Sequence, residues 1–292
     1  MLRRYHLLHL VAAMNDISID NAGLSLAASV VGSPEAPPVL LLHGISNSRD
    51  VWYDWAVEFS DRYRVYTLDF RGHGHSSRAE RYAIADYVSD AAAVLDAIGA
   101  PTRVIGHSLG GVVAGALAQT DNALVHSALM VDPAWYFGIR EEFLKTVYPK
   151  RFALLTGILE QLHGAKAPLA EWVATVGNTP HPFGGVFADH MSYRQIVSHA
   201  SALQRQDPAC WRTPLYESFA SLDTTQPFRR PTRVIRCDST LGAAFLDQHA
   251  DNIRVVNPSL DVLHYVGSDH FPQRTRAFAS RFREDLNAFL RE

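Results

Sequence analysis

The feature that most constrains this chain is a strand-like run, Arg103-Val104-Ile105, that stops at Gly106 and resumes at Leu109 as a helix-compatible stretch of small residues. β-Branched residues favour extended backbone, and Gly106, Gly110 and Gly111 allow a turn too tight for side chains. A strand that passes so abruptly into a helix belongs to a βαβ unit, with the helix packed close on a parallel sheet. The same unit recurs on either side. Residues 39–42 are an apolar run ended by His43-Gly44, which predicts a strand buried on both faces. Residues 64–70 (RVYTLDF) predict another strand, and 84–98 a helix with Ile84, Tyr87, Val88, Ala91, Val94, Leu95 and Ile98 on one face. Gly99 suits the C-cap of that helix. Residues 103–106, 109–119 and 127–131 continue as strand, helix and strand. Ahead of them, residues 17–31 alternate apolar and polar about Asn21-Ala22-Gly23, the pattern of a hairpin.

The rhythm lapses after Asp132-Pro133. Residues 135–228 are rich in aromatics and histidine and hold candidate helices at 141–147, 151–163, 169–176 and 193–205, without a clear buried strand. It resumes with a strand at 232–237, a helix at 243–252, a strand at 262–266 and a last amphipathic helix ending near Leu290. The expected organisation is therefore an α/β core in two parts, 14–134 and 229–292, with a helical cap of 135–228 between them.

Charge excludes some partners. A formal net charge of −3 without a block of like charges predicts no nucleic-acid or anionic-membrane binding. No run of 18 apolar residues is present to span a bilayer. The two cysteines, Cys210 and Cys237, fall in different parts of the chain and suit a reducing, cytoplasmic setting. The 14 histidines form no HExxH pattern and the cysteines no CxxC pattern, so neither metal nor cofactor is expected. Residues 1–14 place two arginines before an apolar stretch, as a secretory leader would. His6 and His9 interrupt it, and Ala12-Ala13-Met14 is a poor cleavage site, so the reading is a frayed extension ahead of Met14, or an upstream start with the true start at Met14.

Gly106-His107-Ser108-Leu109-Gly110 also carries chemistry, because it puts a serine hydroxyl at the N-terminus of a helix. Free N–H groups and the helix dipole there favour developing negative charge. A serine hydroxyl is a weak nucleophile without a base, and the base must be an imidazole within reach. Of the 14 histidines, His264 sits within the last predicted strand, His249 within a helix, and His270, in Gly267-Ser268-Asp269-His270, between the last strand and last helix.

These landmarks, in this order, resemble the α/β-hydrolase superfamily over most of residues 17–290. The resemblance implies a mostly parallel eight-stranded sheet flanked by helices, with Ser108 on a G-x-S-x-G nucleophile elbow and His270, on a loop similar to the family's G-x-x-H loop, as the base. Leu42-His43-Gly44-Ile45 is similar to the family's oxyanion loop, which implies backbone donors at Ile45 and Leu109. Asp69-Phe70-Arg71-Gly72-His73-Gly74-His75-Ser76 resembles a structural segment of the family, so His43, His73 and His75 are expected to support loops. The acid that orients His270 has two candidates. Asp238 lies near the family's commoner position after the cap, although Cys237 replaces the glycine and Thr240 the aspartate of its G-x-x-D turn. Asp132, after the strand before the cap, matches the other position. The commoner position favours Asp238.

The implied activity is that of a serine hydrolase cleaving an ester-type bond, as a carboxylesterase or lactonase does, through an acyl-enzyme. A serine nucleophile argues against dehalogenase and epoxide-hydrolase chemistry, which needs a carboxylate. A carbon–carbon bond hydrolase of the ring-cleavage type would use the same triad with cationic groups such as Arg194, His190 or Arg140. A ligand receptor that kept the fold without catalysis is the third reading. Trp135, Tyr136, Phe137, Trp172, Phe183, Phe187, Tyr193 and Trp211 suggest a small-molecule substrate that is partly apolar.

Overall fold

The computed structural model describes residues 14–292; the extension expected ahead of Met14 lies outside the described residues. The strands are β1 (Asn15–Asn21), β2 (Leu24–Val31), β3 (Pro38–Leu42), β4 (Arg64–Leu68), β5 (Thr102–His107), β6 (Val125–Val131), β7 (Thr232–Arg236) and β8 (Asp261–His264). They form one sheet in the order β1-β2-β4-β3-β5-β6-β7-β8. The β1–β2 and β2–β4 pairs are antiparallel and the remaining pairs are parallel. The helices are α1 (Tyr53–Phe59), α2 (Ile84–Ile98), α3 (Leu109–Ala118), α4 (Arg140–Lys145), α5 (Tyr148–Gly164), α6 (Leu169–Gly177), α7 (Phe187–His190), α8 (Tyr193–Arg205), α9 (Leu215–Ser218), α10 (Asp247–Val256) and α11 (Ala279–Arg291).

The two-residue period of the strands divides the core. Leu40, Leu42, Val104, Met130 and Val234 pack on one face against Tyr87 and Leu95 of α2, Val112 and Leu117 of α3, and Ile253 of α10. Their neighbours Val39, Leu41, Ile105, Leu129 and Ile235 pack on the other against Trp55 and Phe59 of α1 and Phe282 and Leu286 of α11. A run such as Val39-Leu40-Leu41-Leu42 is apolar throughout because helices cover both faces. Helix α1 adds to the expected elements; its signal is the i, i+3, i+4, i+7 spacing of Trp52, Trp55, Ala56 and Phe59.

Between β6 and β7 the chain builds α4 to α9 and adds no strand to the sheet. Leu159, Trp172, Val176, Ile196, Ala200 and Leu203 give α5, α6 and α8 a small core of their own. One expected helix starts late: α10 begins at Asp247, four residues after Ala243. Ala244 and Phe245 instead turn their backbone N–H groups onto Asp132. Both cysteines are buried and free. Among the described residues no helix is long and apolar enough to cross a membrane.

Candidate active site

The site lies at the carboxyl ends of the central parallel strands, where an open α/β sheet leaves a crevice. Ser108 joins β5 to α3 with φ 54° and ψ −113°, a strained conformation for a residue with a side chain. The flanking glycines make the turn possible. A Cβ on Gly106 would lie 1.9 Å from the Gly110 carbonyl oxygen, and one on Gly110 would lie 2.3 Å from that of Leu42. The Ser108 N–H donates to the Val131 carbonyl (2.9 Å) and the Gly110 N–H to that of His43 (3.1 Å), which fix the elbow to β6 and to the end of β3.

His270 sits on the loop after β8, held by its own carbonyl, which accepts from His107 Nε2 at 2.8 Å. Its Nδ1 donates to Asp132 Oδ2 at 2.5 Å. Asp132 is fully buried and takes three further hydrogen bonds, from the backbone N–H groups of Ala244 (2.8 Å), Cys237 (3.3 Å) and Phe245 (3.3 Å). Asp238, favoured from its position in the chain, is not the residue against His270. It is half-buried and accepts from Thr240 N and Oγ1 at 3.0 and 2.6 Å and from Gly267 N at 2.9 Å. The hydrogen bonds from Thr240 and then Gly267 hold its carboxyl below the usual range. These hydrogen bonds turn its carboxyl onto Thr240 and Gly267 and not onto the imidazole. Asp238 instead tethers the loop that carries His270.

Burial pushes both members of the buried pair toward their uncharged forms, the Asp132 carboxyl up and the His270 imidazole down. The Arg151 guanidinium adds to the second effect, while the three backbone donors pull Asp132 back toward the carboxylate. Both oxygens of Asp132 already accept backbone N–H groups, so the geometry places the shared proton on Nδ1, and a neutral imidazole then carries its lone pair on Nε2. Neither that nitrogen nor Ser108 Oγ has a hydrogen-bond partner among the described residues, and neither atom is sealed from the cavity.

The Ile45 and Leu109 N–H groups likewise donate to no acceptor among the described residues. Leu109 opens α3, where the first N–H groups have no helical partner. Ile45 follows a peptide that is held firmly: the Gly44 carbonyl accepts from His43 Nδ1 at 2.8 Å and from Asn47 N at 3.0 Å. His43 is fully buried, and its Nε2 accepts from the Phe70 N–H, so it braces the loop. His73 bonds Arg71 O, and the His75 N–H donates to Asp69. His249 pairs with Glu142 and His264 with Arg236, away from Ser108.

Ser108 and His270 open into a cavity of about 210 Å³. Phe152, Leu155, Ile158, Trp172, Val176 and Leu203, all from the helices between β6 and β7, supply most of its apolar wall. Phe187 also lines it, whereas Trp135, Tyr136, Phe137, Phe183, Tyr193 and Trp211 do not. Arg194 stacks on Tyr53 at 3.9 Å, Arg140 lies over Tyr216, and His190 stacks on His181, all outside the wall.

Two features escaped the sequence reading. Arg151, on α5, lines the cavity. Asp269, next to His270, bonds Thr275 Oγ1 at 2.8 Å and lies 3.3 Å from His181 Nε2, both carboxylate and ring being buried. Their signal was weak, since an arginine on an amphipathic helix is ordinarily solvated and His181 is far from Asp269 in the chain. Among the described residues no three His, Cys, Asp or Glu side chains converge to hold a metal ion.

Residues 37–155 match the family described as alpha/beta hydrolase fold. Epoxide hydrolase 4 of Mus musculus is 35% identical over 123 residues, 40% of this chain and 33% of that protein. A pimeloyl-[acyl-carrier protein] methyl ester esterase of Aeromonas salmonicida is 33% identical over 141 residues, 48% of this chain and 53% of that one. The chain thus spans between a third and about half the length of these curated relatives. Over nearly its whole length it superposes on a putative aryl esterase from Burkholderia cenocepacia, with a TM-score of 0.71 and 21% identity, covering 95% of this chain and 98% of that one. In its matched segment the chain is similar to that family, and over its whole length it has the α/β-hydrolase fold.

Proposed function

We propose that this protein is a serine hydrolase acting on an ester-type bond of a small, partly apolar substrate. Ser108 is the nucleophile, His270 the base, Asp132 the acid that orients it, and the Ile45 and Leu109 N–H groups the oxyanion hole. The observation that carries the reading is the buried Asp132–His270 bond, which leaves Nε2 unprotonated in the cavity that Ser108 opens into. His270 Nε2 takes the Ser108 proton as Oγ attacks the substrate carbonyl carbon, and the two N–H groups receive the oxyanion. The tetrahedral intermediate collapses, His270 returns its proton to the departing alcohol oxygen, and water releases the acid by the same steps in reverse order.

The apolar wall supports a substrate with a hydrocarbon or aromatic portion. The epoxide-hydrolase relative does not redirect the chemistry, because the elbow residue here is a serine and not a carboxylate. The carbon–carbon reading loses Arg194, His190 and Arg140, which lie outside the cavity wall. A panel of p-nitrophenyl esters, lactones and dienone acids, assayed beside Ser108→Ala, tests the proposal. Ester turnover that vanishes in Ser108→Ala, with a fluorophosphonate probe labelling Ser108, supports it. Turnover retained by Ser108→Ala refutes it, and a single turnover with product retained favours the receptor.

A further inference from the structure

A buried side chain just after α8 reaches the loop bearing Ile45. Gln206, the residue after α8, is 1% exposed. Its Nε2 donates to the Ile45 carbonyl at 2.6 Å and lies 2.8 Å from His73 Nε2. Its Oε1 accepts from Trp211 Nε1 at 3.0 Å. His73 donates through Nδ1 to the Arg71 carbonyl at 2.9 Å, and burial favours its neutral form. Its Nε2 is then an acceptor, and the two protons of the Gln206 amide go to Ile45 O and His73 Nε2. Every polar atom of the Gln206 side chain has a partner, yet the side chain lines no part of the cavity.

These contacts divide the support of the Ile45 loop between two parts of the chain. The Gly44 carbonyl is held from the core by His43 and by Asn47 N. The Ile45 carbonyl is held, among the described residues, by Gln206 alone: with the His73 proton on Nδ1, its Nε2, 2.8 Å away, has none to give. A buried carbonyl that loses its donor is costly, so the peptide turns toward another, and the N–H of the same residue turns with it.

We infer that Gln206 is a positioning residue for the oxyanion hole, the means by which the inserted helices set the direction of the Ile45 N–H. This inference rests on the ester-hydrolase reading. The insertion then contributes to the chemical step as well as enclosing the substrate. Losing one oxyanion donor outright costs ~10²–10³-fold in kcat, and a donor turned out of line costs part of that.

The test uses Gln206→Met, which keeps the length and removes both hydrogen-bonding groups, and Gln206→Glu, which keeps the acceptor for Trp211 and removes the donor. Both are measured with a p-nitrophenyl ester that the unaltered protein turns over and with a trifluoromethyl ketone, whose serine adduct places an oxyanion in the hole. The expected result is a fall in kcat of ~10–100-fold with KM within about 3-fold, and a loss of ketone affinity that tracks kcat/KM. A folded variant of either kind with a lowered melting temperature but kcat within about 3-fold of the unaltered protein overturns the inference, because Gln206 then only packs. If Gln206→Met does not fold, Gln206→Glu decides by the same criteria. Ser108→Ala in the same assay separates the two levels: if it is inert while the Gln206 variants keep full kcat, this inference fails and the ester-hydrolase reading stands.

Discussion

Replacing Asp132 with asparagine should disable the site without unfolding the protein. The carboxylate accepts four hydrogen bonds: Oδ2 from His270 Nδ1 and Ala244 N, and Oδ1 from Cys237 N and Phe245 N. An asparagine has one oxygen, so its NH2 group must face donors whichever way it is placed. With Nδ2 in the place of Oδ1 it opposes two backbone N–H groups, neither of which can move its proton. With Nδ2 in the place of Oδ2 it opposes only Ala244 N, because the imidazole can shift its proton to Nε2 and accept at Nδ1. The second arrangement is the cheaper, and it gives the base the wrong tautomer. One orphaned backbone N–H costs about 1–3 kcal/mol, a melting temperature lower by several degrees. The wrong tautomer costs on the order of 10⁴ in kcat, or roughly 5 kcal/mol of barrier. Initial rates on an ester substrate, corrected for the Ser108→Ala background, and a thermal melt of the same sample measure both. A folded Asp132→Asn protein that keeps kcat within about tenfold would refute the reasoning and leave a Ser–His dyad.

Four other changes are informative. Asp238→Asn removes a charge that anchors a turn, so it should cost about 1 kcal/mol in denaturant melts and leave kcat nearly unchanged; a loss as large as that of Asp132→Asn would return the acid to Asp238. Arg151→Met removes a cation that, after burial, most depresses His270. Protonation of the imidazole then becomes easier, its pKa rises, and the acid limb of kcat/KM for a neutral ester should move to higher pH; an unmoved or lower limb contradicts this. Gly110→Ala puts a Cβ 2.3 Å from a backbone oxygen and should give no soluble folded protein, whereas Gly157→Ala, on α5 with nothing within 4 Å, should raise stability by about 0.5–1 kcal/mol. Equal yields and equal melts for the two would show that the elbow tolerates side chains.

Local pattern carried a good part of this protein. The βα alternation, the strand runs and the glycines of the elbow are short-range features, in which backbone conformation follows from side-chain branching, periodicity and the space a Cβ needs. Ser108 and His270 stood out for the same reason, since each sits on a turn between a strand and a helix. The aspartate that meets His270 did not stand out. Two aspartates ended two strands, and the choice turned on which end pointed its carboxylate at a loop more than a hundred residues away in Asp132's case. Asp132 meets His270 because β6 and β7 are neighbours in the sheet, and because residues 243–246 stay out of the helix and turn Ala244 N and Phe245 N onto the carboxylate. That choice depends on buried hydrogen-bond donors that find one another only once the chain is packed. The same holds for Arg151 in the cavity wall, for His181 against Asp269, and for Gln206 on the Ile45 carbonyl. Each joins the inserted helices to the core across long stretches of sequence. No periodicity encodes such contacts; desolvation selects them, since a buried polar group must be paired and only the tertiary structure determines which partner is near.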